Sequence, residues 1–219
     1  MTQKPARVII INPNSTVAMT DAMVTAARTA VPELTFEGWT SHKGPPAIQG
    51  GADGALAEPP LLELVQKAAQ QGVGGIVIGC FDDTALARAA TLAACPVIGI
   101  GQAAYHYAAL RGWRFSVVTT LAVSVPILER NIHALGLQGC LGRVRASDVP
   151  VLALHEDQVE AERRIVEEAR IAAREDAIDA LILGCAGMVN VTSAVRAAVS
   201  LPVIDPAITA AASMKWLIP

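Results

Sequence analysis

The sequence is poor in aromatic and in charged residues. Aromatic side chains make up 4% of the 219 residues and charged side chains 17%, and 17 Lys plus Arg nearly balance 20 Asp plus Glu, which leaves a net charge of −3. This balance excludes a globally basic nucleic-acid binder. Hydrophobic residues still reach 53%. The core is therefore built from Ala, Val, Ile and Leu, and the chain is globular rather than disordered.

Long hydrophobic runs are also missing. Residues Met1 to Arg7 are mainly polar, and the apolar run Val8 to Ile11 is far shorter than a signal-peptide core or a membrane span. We therefore expect a cytoplasmic protein without a membrane partner. Cysteines are few, and a chain with an ample core needs no disulfide staples, so reduced thiols are expected. The four are Cys80, Cys95, Cys140 and Cys185.

Short apolar runs alternate with longer Ala-rich stretches. The runs predict strands over Arg7–Ile11, Gly75–Ile78, Pro96–Ile98, Phe115–Val118, Ala180–Leu183 and Pro202–Ile204. The stretches predict helices over Thr16–Val31, Ala55–Gln71, Asp83–Ala94, Gly101–Leu110, Val123–Leu135, Glu156–Asp176, Val191–Val199 and Pro206–Trp216, with an irregular connection over Thr40–Gly54. Continuously apolar strands that alternate with helices predict an α/β fold with parallel sheets.

The chain repeats itself. IVIGCFDD (Ile76–Asp83) matches LILGCAGM (Leu181–Met188), and each copy is followed by a predicted helix and a Pro-Val-Ile strand. RVIIINPNS, which begins at Arg7, is echoed by RFSVVTT, which begins at Arg114. Three matches at nearly one offset predict two duplicated α/β lobes that face each other across a cleft. The expected lobes are residues 1–98 with 207–219, and residues 99–206.

Cys80 and Cys185 occupy the same place in the two copies, after a strand and a glycine and before a predicted helix. Ligands bind at the carboxyl ends of parallel strands. A helix N-terminus there is expected to lower the pKa of each thiol from about 8.5 toward neutrality. Two such thiols suit a reaction in which one removes a proton beside a carbonyl and the other returns a proton to the opposite face. A single buried Gly-Cys would be structural, but the matched pair favours catalysis.

Four motifs stand in order along the chain: NPNST (Asn12–Thr16), GCFDD (Gly79–Asp83), VVTT (Val117–Thr120) and LGCAGM (Leu183–Met188). Together they resemble the aspartate/glutamate/hydantoin racemase superfamily over nearly the whole chain. Cys-Phe-Asp-Asp is similar to the hydantoin and allantoin racemase branch, whereas the amino-acid racemases tend to have Cys-Asn-Thr there. The resemblance implies a ring substrate rather than a free amino acid.

The resemblance also implies two pseudo-symmetric flavodoxin-like lobes with the active site between them, and Cys80 and Cys185 as the acid/base pair. The reaction would invert C5 of a 5-monosubstituted hydantoin or of allantoin, with no cofactor and no metal. We expect a small-molecule ring as the partner, no nucleic acid, and a homo-oligomer. The candidate substrate-binding residues are Asn12, Asn14, Ser15, Ala47, Ile48, Phe81, Asp82, Thr119, Thr120, Ala186 and Gly187.

Several of these residues have ordinary structural alternatives. Asn14 or Ser15 could cap the following helix, as could Thr119 and Thr120, and an acid in a first helical turn is an ordinary partner of the helix dipole. The loop GPPAIQG (Gly44–Gly50) is similar to a family loop written Gly-Pro-x-Ser-Ile-Glu, with Ala for Ser and Gln for Glu. The missing hydroxyl and charge would change which C5 substituent is accepted.

Other sites have weaker support. Gly99–Ala104 fits G-x-G-x-x-A, but the acidic residue that a dinucleotide site needs about 20 residues later is replaced by threonines. The four histidines show no zinc-binding spacing. The rival functions are an amino-acid racemase of the same superfamily, an arylmalonate-type decarboxylase, disfavoured by Cys80, and a non-catalytic ligand-binding module.

Overall fold

The computed structural model describes residues 6–218, and these residues form eight strands and nine α-helices. The strands are β1 (Arg7–Asn12), β2 (Thr35–Thr40), β3 (Gly75–Ile78), β4 (Val97–Gly99), β5 (Phe115–Thr119), β6 (Leu141–Ala146), β7 (Ala180–Leu183) and β8 (Val203–Ile204). The helices are α1 (Val17–Ala30), α2 (Gly51–Gln70), α3 (Leu86–Thr91), α4 (Ile100–Leu110), α5 (Val125–Ala134), α6 (Ala153–Glu156), α7 (Gln158–Glu175), α8 (Thr192–Ala198) and α9 (Pro206–Leu217).

The strands form two sheets with the same topology. The first sheet has the order β2-β1-β3-β4 and the second the order β6-β5-β7-β8, and every pairing is parallel. This is the strand order of a flavodoxin-like sheet. The α/β class with parallel sheets is thus confirmed, and the second sheet repeats the first as the sequence repeat predicts.

Two edge strands, β2 and β6, were absent from the predicted strands. Their sequences are TFEGWT and LGRVRA, and most of their residues are only partly buried. An edge strand has a partner on one side only, so it tolerates charged residues and glycine that a central strand excludes. Continuous apolar runs therefore mark the central strands and the short apolar edge strands β4 and β8, but not β2 and β6.

Several predicted helix boundaries were wrong. The irregular connection ends at Gly50, since α2 already begins at Gly51. The helix predicted from Glu156 is interrupted at Asp157, whose side chain accepts a hydrogen bond from the Glu160 N–H and caps α7. The helix predicted from Asp83 begins at Leu86, because Asp83 and Ala85 have positive φ angles of 50° and 54° and form a turn. Residues Ala186–Val191 form a 3₁₀ helix before α8.

One apolar core joins the two sheets. Tyr105 of α4 is fully buried between Phe81, at a ring-centroid distance of 5.4 Å, and Phe115 of β5, at 5.8 Å. Helix α9 packs against α1 and α4. The lobe boundaries, residues 1–98 with 207–219 and 99–206, stay a prediction, and residues 1–5 and 219 lie outside the described part of the chain.

Among residues 6–218, no helix is long and apolar enough to cross a membrane. Over the same residues, no group of three or more His, Cys, Asp and Glu side chains is placed to hold a metal ion.

Candidate active site

A small cavity lies where the carboxyl ends of the central strands of both sheets meet. Loops after β1, β3, β5 and β7 contribute to its wall, which is the position expected for a ligand site in parallel α/β sheets. The cavity has a volume of about 30 Å³. Its lining residues are Asn14, Met19, Ile48, Gly79, Cys80, Phe81, Asp82, Thr119, Thr120, Ser124, Val151, Gly184, Cys185 and Ala186.

Cys80 lies in a turn, not at a helix N-terminus. Helix α3 begins six residues later, at Leu86. The Cys80 sulfur instead accepts hydrogen bonds from the Thr84 hydroxyl, at 3.5 Å, and from the Asp82 backbone N–H. The helix dipole predicted to stabilise this thiolate is therefore replaced by two local donors.

Cys185 directly precedes the 3₁₀ helix Ala186–Val191 and has extended backbone angles (φ −157°, ψ 141°). Its sulfur accepts hydrogen bonds from the backbone N–H groups of Gly187 and Met188. In this copy the sulfur does lie at a helical N-terminus, although the helix is a short 3₁₀ segment rather than the predicted α-helix.

The predicted lowering of the thiol pKa values was wrong. Burial raises the pKa of Cys185 to about 12 and that of Cys80 still further above its ordinary value. The nearby Asp82 carboxylate raises the pKa of both thiols, since a negative charge opposes formation of a second one. Burial therefore favours the neutral thiol form of both cysteines.

Asp82 contributes a carboxyl group to the cavity wall. Burial raises its pKa to about 6. One of its oxygens, Oδ2, is buried and has no hydrogen-bond partner within the described part of the chain. Among the lining residues described above there is no Lys, Arg or His to balance its charge. A buried carboxylate without a cation or a donor is costly, which is typical of a group that meets a ligand.

Asp83 points to the other side of the turn and has a structural role. Its carboxylate accepts hydrogen bonds from the N–H groups of Gly101 (3.0 Å) and Gln102 (2.7 Å) at the start of α4. A Cβ at Gly99 would lie only 1.9 Å from the Asp83 carboxylate, and one at Gly101 only 2.4 Å from the Phe81 carbonyl oxygen. The two glycines of the G-x-G pattern therefore make room for this turn. Burial raises the pKa of Asp83 to about 8.

The Asn-Pro-Asn-Ser turn is held by its own side chains. Asn12 is buried behind the cavity wall, and its amide donates to Asn14 Oδ1 (2.9 Å) and to Thr20 Oγ1 (3.1 Å). Asn14 lines the cavity and accepts the Thr16 N–H at 2.9 Å. Ser15 lies outside the lining, and its N–H donates to the Pro45 carbonyl at 2.9 Å.

In the second lobe, Thr119 and Thr120 both line the cavity and are almost fully buried. The Thr119 hydroxyl donates to the Gly184 carbonyl at 2.9 Å, so its oxygen, rather than its proton, is free toward the cavity. Neither threonine caps the following helical segment. Thr120 and the adjacent Ser124 are the hydroxyl groups left to donate to a ligand from this side.

Two loops from opposite lobes cover the cavity. Ile48 and Val151 line it, whereas Ala47 packs beside Met19 and Val151 in a small apolar cluster. Gln49 joins the loops, because its Oε1 accepts the Val151 N–H at 2.8 Å. We call residues 44–50 and 147–152 the cover loops. The departures from the family loop, Ala47 and Gln49, thus lie in the cover.

Most of the candidate substrate-binding residues line the cavity. They are Asn14, Ile48, Phe81, Asp82, Thr119, Thr120 and Ala186. Asn12, Ser15, Ala47 and Gly187 lie just behind the wall, where they support it. Three lining residues other than glycine lie outside the predicted set, and no motif marks them, since they come together only through folding. They are Met19, Ser124 and Val151, with Gln49 as the link that closes the cover over them.

Comparison with known proteins agrees with this architecture. A family model described as Asp/Glu/Hydantoin racemase matches residues 8–214. The hydantoin racemase of Rhizobium meliloti is 43% identical over 206 residues, which covers 94% of this chain and 85% of that protein.

Two solved structures have the same fold over nearly the whole chain. The allantoin racemase from Klebsiella pneumoniae has a TM-score of 0.92 and 36% identity, with 97% of this chain and 87% of that chain covered. The allantoin racemase from Pseudomonas fluorescens has a TM-score of 0.91 and 30% identity, with 97% and 90% covered. The chain therefore belongs to the Asp/Glu/hydantoin racemase family and is a racemase with two flavodoxin-like lobes.

Proposed function

We propose that this racemase inverts the C5 stereocentre of a hydantoin-type ring, a 5-monosubstituted hydantoin or allantoin, by proton transfer between two cysteines. One observation carries the proposal: Cys80 and Cys185, from matching loops of the two lobes, line the same cavity. The names of the relatives, hydantoin racemase and allantoin racemase, support the ring as the substrate class.

The chemistry needs one thiolate and one thiol on opposite faces of C5. The thiolate removes the C5 proton, the electron pair moves into the adjacent carbonyl to give an enolate, and the opposite thiol delivers its own proton to the other face of C5. The enolate oxygen needs donors, which the Thr120 and Ser124 hydroxyls and nearby backbone N–H groups supply. The two sulfurs exchange roles in the reverse direction.

The thiolate must form against the effect of burial. Each sulfur keeps local donors that favour its charged form: Thr84 and the Asp82 N–H for Cys80, and two backbone N–H groups for Cys185. Water also stabilises a thiolate while the cover loops are open. We propose that one thiol ionises in the open site and that its donors hold the thiolate as the loops close over the substrate.

The cover must move for the substrate to reach the sulfurs. A cavity of about 30 Å³ holds roughly one water molecule, far less than a five-membered ring with a substituent. The Gln49–Val151 hydrogen bond crosses between the lobes and closes this cover. Displacement of the cover loops, residues 44–50 and 147–152, is therefore part of the proposed cycle.

The charge of the lining favours a neutral ring over a free acidic amino acid. Asp82 is the one acidic residue among the described lining residues, and no Lys, Arg or His accompanies it. A substrate with two carboxylates would meet repulsion without a compensating cation. An amino-acid racemase remains the alternative enzyme, and a non-catalytic binding module the alternative of another class.

Proton NMR in deuterated buffer tests the proposal. The purified protein is incubated with L- and D-5-benzylhydantoin and with allantoin, and loss of the C5–H signal and change in optical rotation are followed together. Enzyme-dependent exchange with inversion of one ring is expected. Exchange of free aspartate or glutamate but of no ring would favour the amino-acid racemase, and binding of a ring without exchange would favour the binding module.

A further inference from the structure

The carboxylate of Asp82 forms part of the cavity wall. Its Oδ2 is buried and has no hydrogen-bond partner within residues 6–218. In contrast, both carboxylate oxygens of the next residue, Asp83, accept hydrogen bonds from backbone N–H groups at the start of α4. Asp82 lines the same cavity as Cys80 and Cys185, the two groups that would flank the reacting carbon. The cavity wall as described offers no cation to satisfy it.

We propose that the Asp82 carboxylate accepts a hydrogen bond from the ring N–H that is bonded to the stereocentre, and so fixes which edge of the ring faces each lobe. This inference rests on the proposed function, because it assigns one substrate contact within that site. It makes Asp82 a specificity-determining residue for substrates that carry an N–H beside the acidic C–H.

The polarity of the ring determines this orientation. In a hydantoin, C5 lies between the carbonyl carbon C4 and the nitrogen N1. The oxygen on C4 becomes negative in the enolate, so a carboxylate beside it would oppose the reaction. The hydroxyl groups of Thr120 and Ser124 come from the second lobe, and Asp82 comes from the first. The C4 oxygen therefore faces the hydroxyls, and the N1–H faces Asp82.

The apolar part of the wall supports the same placement. Phe81 and Ile48 come from the first lobe and Val151 from the second, and none of their side chains can accept a hydrogen bond from a ring N–H. The Thr119 hydroxyl oxygen can accept one, but it carries no charge. Asn14 offers an amide, but its Oδ1 already accepts hydrogen bonds from Asn12 and Thr16. Asp82 Oδ2 is the one charged acceptor that the described lining leaves unpaired.

A cycle of substrate and side-chain changes tests the inference. Inversion of 5-benzylhydantoin, its N1-methyl derivative and its N3-methyl derivative is measured by optical rotation with the wild type, Asp82→Asn and Asp82→Ala. Asp21→Asn is the matched control, since Asp21 is an exposed acid of α1 that lies outside both the cavity lining and the cover loops. Thermal unfolding of each variant shows that it is folded.

In the wild type and in Asp21→Asn, N1-methylation is expected to lower kcat/KM by about 10- to 100-fold, the range of a hydrogen bond to a charged group. N3-methylation should have a much smaller effect. In Asp82→Ala the N1-methyl penalty should fall to about 2- to 3-fold, with Asp82→Asn between the two because its neutral amide oxygen still accepts weakly. The parent ring should lose activity in both Asp82 variants.

Two results separate failure of this inference from failure of the proposed function. If the wild type inverts the parent ring but Asp82→Ala keeps the full N1-methyl penalty, or the wild type shows no such penalty, Asp82 does not contact N1–H and the racemase proposal stands. If the wild type inverts none of the rings, the proposed function itself is wrong, and the Asp82 contact falls with it.

Discussion

Gln49 and Val151 are 102 residues apart in the chain, and a single hydrogen bond of 2.8 Å joins them across the active-site cavity. The side-chain oxygen belongs to the first lobe and the backbone N–H to the second. Gln49 is itself held, since its own N–H donates to Asp53 at the start of α2 at 2.9 Å. In the cover over both cysteines, Gln49 is therefore held in place by Asp53, and its side-chain oxygen accepts the hydrogen bond that joins the two loops.

Gln49→Ala is expected to loosen this cover. Loss of the acceptor leaves the Val151 N–H unpaired, so we expect unfolding free energy to fall by about 0.5 to 1.5 kcal/mol and kcat/KM for ring inversion to fall as well, because the closed site forms less often. Urea unfolding and polarimetry measure the two effects. Gln49→Glu keeps an acceptor and is the matched control. Wild-type kinetics in Gln49→Ala would contradict a role for the link in closure.

Cys80→Ser and Cys185→Ser should each abolish inversion. Each variant should still exchange the C5 proton of one enantiomer, and the two variants should act on opposite enantiomers. A serine hydroxyl is a far weaker acid than a thiol, so we expect inversion to fall by at least about 100-fold. The remaining cysteine can still remove and return a proton on its own face. NMR in deuterated buffer should show each variant exchanging C5–H of one enantiomer, opposite for the two. Cys140→Ser, outside the cavity lining, is the control. Equal exchange of both enantiomers by either variant would contradict the two-face arrangement.

Asp82→Asn is expected to stabilise the protein at neutral pH while it lowers activity. Burial raises the pKa of Asp82 from 3.8 to about 6. Between these values the native state holds the proton more tightly than the unfolded state, so the carboxyl group makes stability fall as pH rises. The full loss of unfolding free energy caused by the buried Asp82 charge is present above about pH 6 and absent below about pH 3.8.

The gain from Asp82→Asn should therefore be near zero at pH 3.5 and about 1 to 3 kcal/mol at pH 8. Urea unfolding at the two pH values, with the exposed Asp21→Asn as the control, measures it. Such a gain together with lost activity is typical of a residue kept for function rather than for stability. A variant that is less stable than the wild type at pH 8 would show that Asp82 has a structural role.

Gly101→Ala is expected to disrupt the turn beside Cys80. The added methyl group would lie 2.4 Å from the Phe81 carbonyl oxygen, so the turn must shift, and we expect a loss of about 1 to 3 kcal/mol together with lower activity. Gly54→Ala in α2 is the matched control, because a Cβ there meets nothing within 4 Å. This change should stabilise the protein by about 0.5 to 1 kcal/mol. Thermal unfolding separates the two, and similar melting temperatures would contradict the packing argument.

The central strands could be read from the sequence because burial on both faces leaves a continuous apolar signature, as in Gly75–Ile78 and Ala180–Leu183. The edge strands Thr35–Thr40 and Leu141–Ala146 could not, since they carry polar residues and glycine, whereas the other two edge strands, β4 and β8, are short apolar runs that the sequence does show. The start of the helix after Cys80 was misplaced because the turn at Asp83 depends on hydrogen bonds from α4, 18 and 19 residues away.

The sequence by itself determined the alternation of strands and helices, the repeat, and the equivalent positions of Cys80 and Cys185, because these are local patterns and spacings. Only the tertiary structure decided how deeply the thiols are buried and in which direction their pKa values move. It also decided that Asp82 faces the cavity while Asp83 holds α4. Burial and charge proximity arise from contacts between distant segments, such as Gln49 with Val151, and no local pattern encodes them.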